Sequence, residues 1–472
     1  MNPGRARRSR ALTGLVAAGV LGASGLLAAC GSGSSSDSSA PGSTGPTSPV
    51  TSSATTPPTR LPKETLTFGV VGNADEVEAY RQMTSLFAPL SKQVTVRVES
   101  WPDEATMMTA LRSGATPPDV FLAARRDLLW LTQHRAIQPV DHLLDDRGVD
   151  FGDDYPRDSL TALASDNRLQ CLPYAIEPSV IYYNKHLVKF GQMQVDPPTP
   201  GEGWSLDQFA ATARWAVHHH RGVSGLYVDP SLTGLAPFLY SGGGSLYDSA
   251  TTPTSMALSS DASQAALSQV LPVLTKPNLT LSQAQLEKRT PLEWFERGKL
   301  AMLAGSRDVV PALRTTLGFN FDVMPMPSLG SAATLGSLTG LCVSRQARDA
   351  ATAAEFVVYA SSPTALGSVA SAGYLQPANQ TVALSDDFQQ KGRLPNHASV
   401  FTFGVKSMVY PPVVAEPDTL SEQVDPLVAK LFGADPTRIP HLTRRIDRVS
   451  QPILAPPATE SPSPSESPQS GG

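Results

Sequence analysis

The sequence is poor in cysteine and lacks the short motifs of several common enzyme classes. Its 472 residues include three cysteines, with no Cys-x-x-Cys pair and no His/Cys cluster, so we expect no metal site. It contains no His-Glu-x-x-His, no Gly-x-Ser-x-Gly and no Gly-rich phosphate loop followed by Lys-Ser/Thr. These absences argue against zinc proteases, serine hydrolases and P-loop nucleotide hydrolases. We therefore expect no catalytic residues and no cofactor.

Three consecutive histidines, His218–His220, are a local concentration of possible metal ligands. Successive side chains on a helix point about 100° apart, so these three cannot converge on one ion. We interpret them as a solvated helix face.

Charged residues are also scarce, at 17%, and the net charge is −5. Residues 1–29 carry four arginines and no acid, so the chain without them has a net charge of −5 − 4 = −9. An acidic balance argues against a nucleic-acid partner or an anionic-membrane footprint. The length and the 41% hydrophobic content are typical of a globular protein with two or three domain-sized cores.

The N-terminus predicts export. A basic stretch, Arg5–Arg10, precedes the apolar run Ala11–Ala29, which ends in small residues, and this order is that of a secretory signal peptide. A transmembrane helix is the alternative, since 19 residues can just span a bilayer. The four glycines in the run favour the signal peptide. The sequence Leu27–Gly31 resembles the lipobox of bacterial lipoproteins, which implies lipidation of Cys30, membrane anchoring and a place on the outer face of the cytoplasmic membrane.

Two segments cannot bury enough apolar surface to fold. Residues 30–62 are almost entirely Ser, Gly, Pro and Thr and are predicted to form a disordered tether. Residues 456–472 repeat this composition and are predicted to be a disordered tail. With Cys30 modified, Cys171 and Cys342 remain as an even pair in an oxidising setting. They form either a disulfide or two buried free thiols.

Hydrophobic periodicity predicts an α/β fold. Strands over 65–71, 94–98 and 118–123 alternate with helices over 76–88 and 105–112, which is the pattern of a mostly parallel sheet with helices on both faces. Ligands bind such sheets beyond the carboxyl ends of the strands. The residues at these ends are Asn73, Asp75, Arg125, Arg126 and Asp127.

The stretch Gln170–Lys185 is rich in β-branched and aromatic residues but contains Pro173 and Pro178. Proline cannot donate to a sheet ladder, so Pro178 should end or edge the strand. Two readings are open: two short strands with a hinge between them, or one strand with a bulge. Glu177 lies beside the break, where a carboxylate suits a cleft better than a core.

Several stretches, taken in order, resemble the extracellular sugar-type solute-binding proteins of ABC importers, the group that includes maltose-binding protein. The matching stretches are Pro118–Phe121 with Leu128–Leu131 and Ile137–Leu144, Leu172–Lys185, Trp204–Phe209, Phe238–Ser245, Phe295–Met302, Gly373–Pro377 and Leu431–Gly433. The resemblance implies a type II periplasmic-binding-protein-like fold with two discontinuous lobes joined by hinge crossings. It places lobe one at 63–174 and 341–378, and lobe two at 179–336 and 382–455.

The same resemblance implies a function and a set of contacts. The protein is expected to be a monomer that binds a small solute, a carbohydrate or sugar derivative, and passes it to ABC permease subunits. The expected ligand-binding residues are Asn73, Asp75, Arg125, Arg126, Asp127, Glu177, Asp229, Ser231, Ser306 and Arg307. The resemblance also brings Cys342 close to Cys171, on two neighbouring crossings. A surface receptor or sensor lipoprotein without transport, or a carbohydrate-active enzyme, are the alternative functions.

One departure from the resemblance concerns the ligand. Where relatives place a stacking tryptophan after the Ala-Met strand, this chain has Arg307-Asp308. Aromatic rings stack on the C–H faces of sugars, so maltodextrin is a poor expectation. Arginine pairs bidentately with carboxylates and phosphates, which leaves a small or partly anionic solute open. For Arg125 and Arg126 the alternative is a solvated helix start.

Overall fold

The computed structural model describes residues 64–87, 94–149, 152–193 and 198–455. The predicted signal peptide, Cys30, the tether and the tail lie outside the described residues. The described part contains these strands: β1 (Glu64–Val71), β2 (Val94–Trp101), β3 (Val120–Ala124), β4 (Ile137–Gln138), β5 (Ala164–Ser165), β6 (Arg168–Leu169), β7 (Cys171–Pro178), β8 (Val180–Asn184), β9 (Met302–Gly305), β10 (Phe321–Pro325) and β11 (Gly336–Ser344).

Helices cover more of the described residues than strands do. They are α1 (Ala74–Ser85), α2 (Glu104–Arg112), α3 (Leu128–Gln133), α4 (Asp141–Asp145), α5 (Arg157–Ala162), α6 (Leu206–His219), α7 (Leu232–Ser241), α8 (Asp261–Leu274), α9 (Gln283–Leu286), α10 (Pro291–Glu296), α11 (Val310–Thr315), α12 (Ala350–Ala360), α13 (Pro363–Ala370), α14 (Gln380–Ala383), α15 (Asp386–Gln389), α16 (Ser399–Val405), α17 (Pro417–Leu431) and α18 (Ile439–Leu454). Short 3₁₀ turns occupy Arg125–Asp127, Phe190–Gln192, Arg307–Val309 and Pro436–Arg438.

Two main sheets organise these elements. The larger has the order β2-β1-β3-β11-β4, with β7 also paired to β11, and the smaller has the order β10-β8-β9. The β1–β2 and β1–β3 pairs are parallel, as predicted, whereas β11 pairs antiparallel with β3, β4 and β7. The expectation of a mostly parallel sheet is therefore correct only for β1 to β3. The difference arises because β11 enters the sheet directly, without the crossover helix that a parallel neighbour requires.

Local sequence signals explain where several helices begin. Ser205 and Gln208 form a capping box at the start of α6, which spans Leu206–His219. The Asn73 side chain accepts hydrogen bonds from the first turn of α1, and the Asp103 side chain does the same for α2. Among the described helices, none is both long enough and apolar enough to cross a membrane.

Strand β8 is buried on both faces and contributes to two hydrophobic cores. Val180 and Tyr182 pack into the core around the six-stranded sheet. Ile181 and Tyr183 point the other way, into the core formed by α6, α7, α8, α17 and α18. This alternation follows from the two-residue side-chain period of a strand. The three-stranded sheet therefore joins the two cores, while the proposed lobe boundaries stay a prediction.

Candidate functional site

The candidate site lies where the chain passes between the two sheets. Strand β7 ends at Pro178 and β8 begins at Val180, with Ser179 between them. This confirms the reading of two short strands separated at the proline. A second crossing, Thr334–Gly336 at the start of β11, runs alongside the first. Two hydrogen bonds join them: the Ser179 N–H donates to the Leu335 carbonyl at 2.9 Å, and the Thr334 hydroxyl donates to the Ser179 carbonyl at 2.8 Å.

The two crossings approach so closely that one position must be glycine. A Cβ atom on Gly336 would lie 1.9 Å from the carbonyl oxygen of Glu177. Any side chain at position 336 would therefore push β11 away from β7. This close approach fixes the backbone from which the Glu177 side chain projects.

Glu177 is partly buried, and its carboxylate accepts a hydrogen bond from the Ser337 hydroxyl at 3.0 Å. Burial raises the pKa of Glu177 from 4.5 to about 8, and the carboxylate of Asp308 adds to this increase. The Ser337 hydrogen bond lowers the pKa, the carboxylate of Glu76 raises it, and the Arg307 guanidinium lowers it. A hydrogen-bond donor or a cation beside Glu177 therefore stabilises its ionised carboxylate.

Glu76, in the first turn of α1, is a second carboxyl of this kind. Burial raises its pKa to about 7, and Asp308 contributes to the increase. The predicted residue Asn73 precedes it and uses its side-chain oxygen to cap α1, at 3.0 Å from the Asp75 N–H and 3.1 Å from the Glu76 N–H. Asp75 and Asn73 are both exposed, and Tyr374 contacts Asn73 through a side-chain hydrogen bond.

Asp308 is exposed, and the hydroxyl of the predicted residue Ser306 donates to its carboxylate. We call Glu76, Glu177 and Asp308 the carboxylate cluster, since Asp308 raises the pKa of both glutamates. Within the described ranges, no group of three or more His, Cys, Asp or Glu side chains is arranged to hold a metal ion. The cluster is instead an acceptor-rich surface beside the crossings.

Arg307, predicted as a ligand contact, is fully buried. Its guanidinium lies between the rings of Phe388 and Phe401, 4.6 and 5.0 Å from their centroids, and donates to the carbonyls of Gly373 and Phe388. The side chain turns inward from the loop after β9 and packs against these rings. The expectation that Arg307 contacts a ligand stays a prediction.

A cavity of about 400 Å³ lies next to Ser337 and brings the second crossing, at Leu335–Leu338, together with more distant elements. Its wall includes the start of α7, the loop that precedes α17 and the end of β3. Residues that represent these parts are Thr233, Tyr247, Tyr410, Pro411, Arg125 and Ser337. The volume lies at the lower end of the range of about 300–1,000 Å³ that is usual for small-molecule sites.

Arg125 and Arg126 line this cavity but are already engaged. Arg125 donates to the carbonyls of Ala162 at 2.9 Å and Pro411 at 2.7 Å. Arg126 forms an ion pair with Asp418, at the start of α17. These bonds connect segments that are distant in the chain. They also occupy both guanidinium groups, which the sequence analysis considered as contacts for an anionic solute.

The other predicted residue of this loop, Asp127, is only 2% exposed. It pairs with Arg112 at 3.2 Å, and Arg112 also reaches Asp418 at 2.7 Å. Burial raises the pKa of Asp127, while Arg126 and Arg112 oppose that increase. Asp127 is thus buried and paired with Arg112, and its expected contact with a ligand stays a prediction.

Asp229 and Ser231 lie at the start of α7, beside the cavity-lining Leu232 and Thr233. Ser231 caps the helix by accepting from the Gly234 N–H at 3.3 Å. The exposed Asp229 carboxylate accepts a hydrogen bond from the Tyr227 hydroxyl at 3.3 Å. Both residues are therefore near the cavity, although neither forms part of its wall.

A disulfide joins Cys171 and Cys342, the first residue of β7 and a residue of β11. The two cysteines are register partners in the antiparallel β7–β11 ladder, with Cα atoms 4.4 Å apart. The bond lies in the six-stranded sheet, so it leaves the segments on either side of Ser179 and Leu335 free to turn.

The profile of the bacterial extracellular solute-binding protein family matches residues 82–396, about two thirds of the chain. The chain belongs to this family. No curated protein matches it. Solute-binding proteins of this family are extracellular.

Solved structures confirm the two-lobe, type II periplasmic-binding-protein-like fold. An ABC substrate-binding protein from Listeria monocytogenes, in complex with cycloalternan, is 18% identical with a TM-score of 0.67, over 83% of this chain and 99% of that one. The GacH receptor of Streptomyces glaucescens, solved unliganded and with acarbose, is 19% identical with a TM-score of 0.67, over 82% and 99%. UgpB from Mycobacterium tuberculosis, in complex with glycerophosphocholine, is 18% identical with a TM-score of 0.64, over 81% and 98%.

Sequence reasoning missed several residues of this solute-binding protein's cleft. Glu76 and Asp308 each lie beside a predicted residue, so a carboxylate count on the same loops could have found them. Tyr410 and Pro411 come from a loop with no hydrophobic period, and Asp418 pairs with Arg126 across 292 residues. No local sequence pattern predicts contacts between residues so far apart in the chain.

Proposed function

We propose that this protein captures a small solute, most simply a carbohydrate, between its two lobes and delivers it to the permease of an ABC importer. The observation that carries the proposal is the cavity of about 400 Å³ beside the crossings in a member of a solute-binding family. Solute contacts on both sides of the crossings would favour the closed arrangement over the open one.

The available polar groups favour a neutral or positively charged solute over an anionic one. Glu76, Glu177 and Asp308 offer carboxyl oxygens, which accept hydrogen bonds from sugar hydroxyls or from an amine. Arg125 and Arg126 are held by backbone carbonyls and by Asp418, and Arg307 is buried. An anionic solute would have to displace these bonds and approach the carboxylate cluster. The aromatic side chains Tyr247 and Tyr410 line the cavity and suit the apolar face of a sugar.

Anchoring and assembly are part of the same proposal. Lipidation of Cys30 would hold the protein at the outer face of the cytoplasmic membrane, with residues 30–62 as a tether, and the protein would act as a monomer. Mass spectrometry of the membrane-extracted chain tests this directly. A mature N-terminus at Cys30 with the mass of added acyl chains is expected, and an unprocessed residue 1 would contradict it.

A carbohydrate-active enzyme is the second candidate, because Glu76 and Glu177 are two interacting carboxyl groups, each with a raised pKa. A glycosidase needs one protonated and one ionised carboxyl across the scissile bond. Incubation with maltose and longer maltodextrins separates the two functions. Saturable binding with every substrate recovered intact supports transport, whereas cleavage products by mass spectrometry would support the enzyme.

The test of solute class uses three hexoses of similar size and different charge: glucose, glucosamine and glucose 6-phosphate. Binding to the folded state raises the melting temperature, so thermal unfolding with excess sugar reports each interaction. We expect an increase with glucose or glucosamine and none with glucose 6-phosphate, confirmed by calorimetric titration. An increase with the phosphate alone would refute the charge argument, and no increase with any hexose or with maltose would refute the carbohydrate assignment.

A further inference from the structure

The last helix of the described residues, α18, carries a row of basic side chains, four arginines and one histidine, on its exposed face. Arg438, at the helix start, is followed by His441, Arg445 and Arg448 at intervals of three and four residues, and Arg444 lies beside them. This spacing places them on one side of the helix. At 1.5 Å per residue, the row from 438 to 448 is about 15 Å long.

The opposite face of α18 holds the helix to the protein. Ile439, Leu442 and Ile446 are buried in the same core as α17 and α8. Asp447 also points inward, where its carboxylate accepts hydrogen bonds from the Leu258 and Ser259 N–H groups, each at 2.9 Å. The arginine row therefore faces away from the core and cannot be explained by packing.

In the described part of the chain, the Asp435 carboxylate attracts Arg438 electrostatically but forms no ion pair with this row. All five side chains are exposed, and no carboxylate of the described residues lies within 4.0 Å of any of them. The exposed sector of α18 contains two further residues, Gln451 and Pro452, and no acid. This concentration of positive charge occurs in a chain whose net charge is −5.

We propose that this basic stripe, Arg438, His441, Arg444, Arg445 and Arg448, is a docking surface for the anionic phospholipid headgroups of the membrane to which the protein is anchored. Basic residues near an anionic bilayer surface attract it at a range of about one Debye length. The overall acidic charge predicts no such footprint, but the attraction depends on the local charge that faces the bilayer. The stripe would orient the folded domain on its tether.

A lipid surface fits the stripe better than a protein partner does. The cores of protein interfaces are usually apolar and depleted in charge. The exposed sector of α18 offers guanidinium, imidazole and amide groups, and Pro452 at its C-terminal end is its one exposed aliphatic side chain. Flexible charged side chains without an apolar centre suit a fluid array of phosphates, to which they bind without a fixed register.

The experiment measures how closely α18 approaches vesicles that carry the full-length protein. A fluorophore is attached at Gln451→Cys, and energy transfer to acceptor lipids is compared between phosphatidylcholine vesicles and vesicles with 30% phosphatidylglycerol, a composition of about one anionic lipid in three. We expect stronger transfer on the anionic vesicles at low salt and equal transfer in about 0.5 M salt, where the Debye length is a few ångströms.

A matched pair of variants assigns the effect to the stripe. The triple variant Arg438→Gln, Arg445→Gln, Arg448→Gln removes three charges from it, and Lys288→Gln, Arg297→Gln, Lys299→Gln removes three exposed charges elsewhere. The first should lower the fraction of protein close to anionic lipid by about tenfold or more, and the second should leave it unchanged. Equal transfer on both vesicle types, or an equal loss in both variants, would overturn the proposal.

The inference rests on the proposed anchoring only for the choice of membrane. If the protein is not lipidated, it will not float with neutral vesicles, and that result refutes the anchor alone. The difference between anionic and neutral vesicles still tests the stripe, because electrostatic attraction needs no acyl chain. A stripe that instead bound an acidic protein would give no difference between the two vesicle types.

Discussion

The raised pKa of Glu177 makes the stability of the empty protein depend on pH in a way that one substitution should remove. The carboxyl has a pKa of about 8 in the folded protein and an ordinary value of 4.5. Its contribution to stability is therefore fully present below pH 4.5 and is lost as the pH rises through 8. Glu177→Gln keeps the size and the acceptor for Ser337 but cannot ionise, so the variant should not show this loss.

The magnitude follows from the two pKa values. Raising a carboxyl pKa from 4.5 to about 8 corresponds to a native-state penalty of at most about 5 kcal/mol at high pH. The Glu177 side chain is partly open to the cleft, where water screens its charge, so we expect about 1–2 kcal/mol. The variant should thus become more stable than the wild type by this amount at pH 8.5, with little difference at pH 4.

Urea unfolding followed by tryptophan fluorescence measures the difference, through the midpoints at constant slope. Glu78→Gln is the matched control, because it removes the same charge from an exposed position of α1. The control should differ from the wild type by no more than a few tenths of a kcal/mol at either pH. An equal midpoint for Glu177→Gln and the wild type at pH 8.5 would show that the carboxyl titrates as in water and would refute the reasoning.

Three further predictions concern the crossings. Glu177→Ala should weaken the best solute by at least about tenfold, or about 1.4 kcal/mol, in calorimetric titration; unchanged affinity would remove this residue from the site. Cys171→Ala with Cys342→Ala opens a bridge across 171 residues and should cost about 3–5 kcal/mol by urea unfolding, and a loss below 1 kcal/mol would contradict this. Gly336→Ala should cost about 3 kcal/mol because of the clash with Glu177, whereas Gly433→Ala, which meets nothing within 4 Å, should be nearly neutral; equal costs would disprove the clash.

The parts of the fold that could be predicted from sequence are those that local chemistry determines. The bounds of α6 follow from its capping box and hydrophobic period, and the strand break follows from Pro178. The β1–α1–β2 unit has the same basis, with small errors at the ends. The antiparallel place of β11 could not be predicted in this way, because it depends on a return from the second sheet.

The candidate site was less predictable, because side-chain direction is a tertiary property. Arg307 and Asp308 are adjacent in sequence, yet the first is fully buried between Phe388 and Phe401 and the second is exposed. Sequence reasoning chose Arg307 because it follows the strand of the Ala-Met segment. The rings that receive it come from segments about 80 residues or more later in the chain, so no spacing rule could place it.

The hydrogen bonds at Ser179 have a mechanical consequence. Because its N–H binds the Leu335 carbonyl and its own carbonyl accepts from the Thr334 hydroxyl, neither crossing can twist without the other. The disulfide clamps the same two strands at the far end of their ladder. Because the two crossings are coupled and joined at one end, they permit rotation about one axis and resist sliding. We therefore expect the lobes to open and close by hinge rotation and not by shear.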